Sequence, residues 1–399
     1  MKLGFVVHRY GADIAGGSEL HCRELAQRLA VSHDVTVLTS CARDYITWQD
    51  AYPAGAATDG RVRILRFPVR RTRHLHRFAE ISDEVFDGAS SHDRQEAWFI
   101  ENGPQLYGLL DHLREHGHTY DLILFWAFRY FPSFFGLPLV PERAVLVPTA
   151  EEDPVINLDI LEEYFKKPAG YLFLTPEEEA LVSERAGDAL RPAAVIGIGL
   201  DPRESTPNRE LLKARGIPED YVLYLGRVDP NKGCQTLLEY FQAYATRSPD
   251  ATLVLAGPAT MQIPTHPRIL SLGYVSDDLR DGLLAHARAL VIPSRYESLS
   301  IVLLEAWNHA VPALVNARCK VLQGQVRRAG GGLYYRSLEE FCEGLDYLRS
   351  HHEERRRLGT QGRAFVDREY RWPVVLGRVE HLLATASKAR ARGVESQVP

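Results

Sequence analysis

Short continuous apolar runs alternate with stretches of helical period along this chain. The segments KLGFVVH, DVTVLTS, RVRILRFPV, DLILFWA, RAVLVPTA, GYLFLTP and AAVIGIG predict strands buried on both faces. Between the first two lies GSELHCRELAQRLAVSH, whose Leu20, Leu25 and Leu29 sit near helical spacing. Strand, helix, strand in alternation predicts a parallel sheet with helices on both faces. The alternation breaks at residues 200–221, a stretch rich in Pro and charge, and then restarts. YVLYLGR, ATLVLAG, RILSLG, ALVIPS and PALVN predict strands; TLLEYFQAYATRS, DDLRDGLLAHA and IVLLEAWNHA predict helices. Two alternating sets predict an α/β chain of two Rossmann-like, doubly wound domains facing a cleft. The expected divisions are 1–199, 200–371 and 372–399, the last an amphipathic helix with a short tail.

Composition narrows the class. The 399 residues are 45% hydrophobic and 25% charged, as in a soluble globular protein. A formal net charge of -5 gives no bulk attraction to nucleic acid, so no nucleic-acid partner is expected. No run is long and apolar enough for a membrane span, and the apolar run of MKLGFVVHRYG is too short for a signal peptide. Five scattered cysteines without a C-x-x-C pair point to a reducing, cytoplasmic setting and away from a zinc site. The stretch 61–77 holds Arg61, Arg63, Arg66, Arg70, Arg71, Arg73 and Arg77 and no acid. It is either a solvated strand and loop or, through Arg70, Arg71, Arg73 and Arg77, a peripheral contact with the anionic inner face of a membrane. The aromatics of AFRYFPSFFGLPL are either core or a face for lipid or sugar.

In open parallel sheets, ligands sit beyond the carboxyl ends of the strands. After the first strand, Gly16 and Gly17 precede a helix, where backbone N–H groups can approach an anion. Tight-turn packing is the alternative. The spacing is not G-x-G-x-x-G, which disfavours a dinucleotide-dependent oxidoreductase. After the first strand of the second set, GRVDPNKG places Arg227 and Lys232 at a strand-to-helix turn, two cations suited to a diphosphate. ALVIPSRYESLSIVLLEAW predicts strand, turn and helix, with the helix starting near Leu299 and Ser298 as its cap. Glu297 then lies on the turn and Glu305 two turns into the helix. Eight helical residues span ~12 Å, so a ligand with several hydroxyls can meet both carboxylates.

The pattern Glu297-x7-Glu305 followed by Pro312, with Arg227 and Lys232 upstream and Gly16-Gly17 at the start, resembles the retaining glycosyltransferases of family 4. The resemblance covers roughly residues 1 to 390. It implies a GT-B fold, a nucleotide-diphosphate sugar (UDP- or GDP-linked) held mainly by the second domain, and a glycan or lipid-linked acceptor on the first. It implies that Glu297 contacts the transferred sugar, that Glu305 binds the ribose hydroxyls, and that Arg227 and Lys232 neutralise the diphosphate. Backbone groups from Ser298 through Leu299 and Ser300 to Ile301 then reach the phosphates, and the base lies near Gly273, Tyr274 and Val275. Two departures stand out. Relatives often read E-G-F-G where this chain has Glu297-Ser298-Leu299-Ser300. Many carry a histidine in a late loop of the first domain, where VPTAEEDP puts Glu151, assigned here to the catalytic edge. The chain has no Asp-x-Asp, so neither metal nor cofactor beyond the nucleotide sugar is expected, and envelope or exopolysaccharide synthesis is the implied setting. A nucleotide-sugar epimerase, a glycan phosphorylase and a catalytically inactive partner protein are the alternatives; turnover of donor without acceptor identifies the first.

Overall fold

The computed structural model describes residues 1–395 apart from Ala15, Ala89, 188–191 and 204–208, with side chains to Arg390. Two compact units divide it: Met1–Gly197 together with the chain from Leu376 on, and Ile198–Val375.

The first unit is built on eight strands: β1 (Lys2–Val6), β2 (Asp34–Ser40), β3 (Gly55–Asp59), β4 (Val62–Phe67), β5 (Leu122–Trp126), β6 (Ala144–Val147), β7 (Gly170–Phe173) and β8 (Ala193–Val195). Their order is β3-β4-β2-β1-β5-β6-β7-β8. All pairs are parallel except β3 with β4. β5, β6 and β7 are buried along their whole length, which explains their unbroken apolar sequence. β3, with the sequence GAATD, is an edge strand without an apolar stripe, and its pattern predicts nothing. The helices Leu75–Phe86, His92–Asn102 and Tyr107–His116 also lie outside the sequence expectation. They cover one face of the sheet, and Phe99 stacks on Phe134 at 3.8 Å. Phe128, Phe131 and Phe134 are therefore core, which resolves the open reading of that aromatic stretch.

The arginines of the 61–77 stretch meet partners from other elements. Arg71 and Arg77 both reach the buried carboxylate of Glu101, and Arg63 pairs with Asp34. Arg73 spends its guanidinium on the carbonyls of Asn102 and Tyr45, between the rings of Trp48 and Phe78. Arg66 is buried over Tyr52. Of the four residues expected to meet a membrane, Arg70, Arg71 and Arg77 are exposed, Arg70 over the ring of Tyr107. Among the described residues no helix is long and apolar enough to cross a membrane.

The second unit has β9 (Tyr221–Leu225), β10 (Thr252–Ala256), β11 (Ile269–Ser271), β12 (Leu290–Ile292), β13 (Ala313–Asn316) and β14 (Gly332–Tyr335), all parallel. The order β11-β10-β9-β12-β13-β14 reverses direction between β9 and β12. A crevice opens at such a reversal because the connections leave the two central strands toward opposite faces. The helix Trp372–Glu395 starts in the second unit and groups with the first from Leu376, where Glu380 pairs with His33 at 2.8 Å. Trp372 fills the space above Gly199, where any Cβ would overlap its ring.

Candidate functional site

The two strands at the reversal carry the residues that the motifs single out. β9 ends at Leu225, and Gly226 and Gly257 follow the paired strands β9 and β10. Both glycines have positive φ, and a Cβ on Gly257 would overlap the carbonyl oxygen of Gly226. The chain then turns through Arg227, Asp229 and the short 3-10 segment Pro230–Lys232 into the helix Cys234–Arg247. Gly233 joins them with φ 76°, and a Cβ there would overlap the carbonyl oxygen of Pro293 at the end of β12. This close approach brings the two turns together. Gly233→Ala meets both a left-handed backbone and a backbone overlap, so it is expected to destabilise the second unit by ~2 kcal/mol or more, read as a lower urea midpoint.

The consequence is an ion pair between residues 65 apart in sequence: Lys232 Nζ donates to Glu297 Oε1 at 3.0 Å. The turns behind it are pinned. Asn316 Nδ2 donates to the Pro293 carbonyl at 2.9 Å, and the Ser294 hydroxyl reaches the Lys232 carbonyl at 3.5 Å. Beside the pair, Arg227 Nε lies 3.0 Å from Asp229 Oδ2. Asp229 in turn accepts from the Asn231 N–H at 2.8 Å and the Thr260 hydroxyl at 3.0 Å.

The helix after Glu297 runs Ile301–Asn308, so its cap position is Ser300, not Ser298. Ser300 makes no side-chain cap hydrogen bond. An uncapped helix start leaves N–H groups of its first turn for an external acceptor. Leu299 and Ser300 are buried, and Ser298 is half-buried. Glu305 lies just over one turn into this helix rather than two. Burial raises its pKa above the usual carboxylate value, against the pull of Arg280, whose Nη2 is 3.9 Å from Oε1. Arg203 pairs with Asp281 at 2.6 Å alongside. Gly273, with φ 63°, follows β11, and its carbonyl accepts from the Gly257 N–H at 2.7 Å. Tyr274 beyond it is 82% exposed.

The first unit has its own polar edge. Gly16 is the extended cap of the helix Gly17–Leu29, and a Cβ on it would overlap Glu19 Oε2. Glu19 accepts from His8 Nε2 at 2.9 Å and from Arg9 Nε at 2.9 Å. Its pKa is lowered to about 2: burial opposes the charge, and His8 and Arg9 more than compensate. Glu19 thus stands beside the glycine pair expected to approach a phosphate, with its charge matched by His8 and Arg9. Glu151 follows β6, 3.7 Å from Arg129 Nη2, which holds Asp153 more tightly at 2.9 Å. The N–H of Ala150 donates at 2.6 Å to Glu178, whose carboxyl is pushed up to about 8 by complete burial, with the neighbouring Glu151 charge adding to it. Thr149 and Ala127, at the ends of adjacent strands, both have positive φ.

The sequence reading missed Asp229, Arg280, Glu19, His8 and Arg9. Asp229 had a signal, an acid before Pro at a turn. Glu19 had a weaker one, an acid in the first turn after a glycine pair. Arg280 had none, because it reaches Glu305 from another helix.

The comparisons with known proteins agree with this architecture. Residues 219–349 match the family model for glycosyl transferases group 1. An uncharacterized glycosyltransferase of Methanocaldococcus jannaschii is 24% identical over 93% of this chain and 95% of its own length. Sucrose-phosphate synthase from Thermosynechococcus elongatus superposes with a TM-score of 0.73 at 17% identity, covering 96% of this chain and 99% of that one. The Anabaena protein HepE, solved in complex with UDP and glucose, gives 0.66 at 14% identity, with 99% and 100% covered. The two Rossmann-like parallel-sheet units are those of the GT-B fold.

Proposed function

We propose that the protein is a retaining, metal-independent glycosyltransferase that moves a sugar from a nucleotide-diphosphate donor to a glycan or lipid-linked acceptor, as in envelope or exopolysaccharide synthesis in the cytoplasm. The observation that carries this reading is the Lys232–Glu297 pair at the strand reversal of the second sheet, with Glu305 one helical turn behind. A cation beside an uncapped helix start, and two carboxylates, match the three parts of a nucleotide sugar: diphosphate, hexose and ribose.

In this reading Arg227, Lys232 and the first N–H groups of the helix Ile301–Asn308 offset the charge that grows on the leaving diphosphate. The helix N–H groups are fixed before the reaction, so little reorganisation opposes their share. Glu297 accepts hydroxyls of the transferred sugar and orients the anomeric carbon. Glu305 accepts the two ribose hydroxyls, and the ring of Tyr274 lies open for the base. The acceptor attacks from the side the diphosphate leaves, and the departing phosphate oxygen takes its proton; no protein nucleophile is assigned. The first unit takes the acceptor, with Glu151 at its edge. Solved relatives bound to UDP favour uridine as the base.

Calorimetric titration with UDP, GDP and ADP, in chelator and then with magnesium, tests the donor site. Binding of one diphosphate in chelator is expected. Binding of none, or binding that needs magnesium, overturns the reading.

A further inference from the structure

We infer that Lys232 and Glu297 form a donor-operated pair. In the ligand-free protein the lysine holds the carboxylate; an arriving diphosphate takes the lysine and frees the carboxylate for the sugar. This rests on the donor site proposed above and adds the coupling between its two residues.

The two acid–base pairs at this edge are built differently. Asp229, the partner of Arg227, is pinned by the Asn231 N–H and the Thr260 hydroxyl, so it keeps its place whether or not Arg227 stays. Among the described residues, the Glu297 carboxylate is held by Lys232 alone. Its backbone neighbours Arg295 and Tyr296 are exposed, and the side chain itself is mostly shielded. Lys232 has the opposite design. Its backbone is locked by Gly233 against Pro293 and by the Ser294 hydroxyl, while its side chain, an ammonium on a flexible stem, is one-third exposed. An ammonium on such a stem changes partners at little cost. A diphosphate carries more negative charge than one carboxylate, so it wins the lysine by Coulomb attraction. The exchange moves ions only: Lys232 stays protonated, Glu297 stays ionised, and no bond forms or breaks.

The pair therefore couples the two halves of the donor. Before the diphosphate binds, Glu297 is occupied; afterwards it is free to accept sugar hydroxyls. It also follows that Glu297 competes with a bare nucleoside diphosphate for Lys232. A residue that only contacts the sugar would have no such effect.

The experiment measures UDP affinity, without sugar, for wild type, Glu297→Gln, Lys232→Met and the double variant, with inorganic pyrophosphate at low ionic strength as a base-independent probe. Thermal melts check that each variant is folded. Glu297→Gln is expected to tighten diphosphate binding about fivefold, as for an ion pair of ~1 kcal/mol. Lys232→Met weakens binding, and in its background Glu297→Gln changes nothing. Unchanged or weaker binding by Glu297→Gln with Lys232 intact overturns the inference and leaves the donor site standing. Failure of wild type to bind either probe overturns both.

Discussion

Glu297→Ala is expected to lower the rate of sugar transfer by about 10²–10³-fold, the typical cost of removing one preorganised polar group at a charge-developing centre. The side chain is mostly shielded, so in the proposed reading its hydrogen bonds to sugar hydroxyls would form in a low effective dielectric and be correspondingly strong. The loss is expected on turnover, because the proposed role of the carboxylate is to orient the anomeric carbon. The fold should survive, since the residue sits on a turn and its removal leaves Lys232 partly solvated rather than buried. Sequence alone predicts that nucleotide affinity stays the same in this variant. The ion pair changes that expectation: diphosphate binding tightens while transfer collapses. Transfer within about threefold of wild type would remove Glu297 from the reaction.

Glu305→Gln should shift function and stability in opposite directions. Burial raises the Glu305 pKa, with Arg280 too distant at 3.9 Å to reverse the effect. The folded state therefore prefers the protonated acid more than the unfolded chain does. A buried carboxylate whose pKa is raised destabilises the fold at neutral pH, and that penalty vanishes as pH falls below the unfolded value of about 4.5. Glutamine removes the charge, so a gain of ~1–2 kcal/mol at pH 7 is expected, disappearing in acid. Nucleotide affinity moves the other way. Two ribose hydroxyls donate best to an ionised carboxylate, so the variant is expected to bind the nucleoside diphosphate about tenfold more weakly. In wild type that affinity falls as pH drops through the raised titration range of Glu305, and the glutamine variant shows no such step. Chemical melts and calorimetry across pH 4.5–8 read both effects. A variant that is less stable than wild type, or that binds equally well, would show that Glu305 serves packing.

Both glutamates were legible in the sequence because they flank a strand, turn and helix of unmistakable pattern. Their surroundings were not. The helix starts at Ile301 rather than near Leu299, because the backbone is still extended at Ser300, with φ -95° and ψ 100°. The glycine pair at Gly16 and Gly17 was visible, but the Glu19 carboxylate packed beside Gly16 was not. The charge run around Arg70 looked unopposed because Glu101 and Asp34 approach from other elements. β3 and β14 went unseen because edge strands bury too little to impose an apolar pattern.

By itself the sequence determined the α/β class, the two parallel sheets and the strand-end placement of Arg227, Lys232, Glu297 and Glu305. Strands covered on both faces must be apolar throughout, and the helices between them must carry an apolar stripe, so burial writes the architecture into local composition. Only the tertiary structure decided which charges face one another. Lys232 meets Glu297, Arg227 meets Asp229, and Glu19 closes the helix start behind Gly16. Ion pairing depends on separations of a few ångströms, and those are set by strand order and by the close approach of Gly233 to Pro293, which local pattern does not encode.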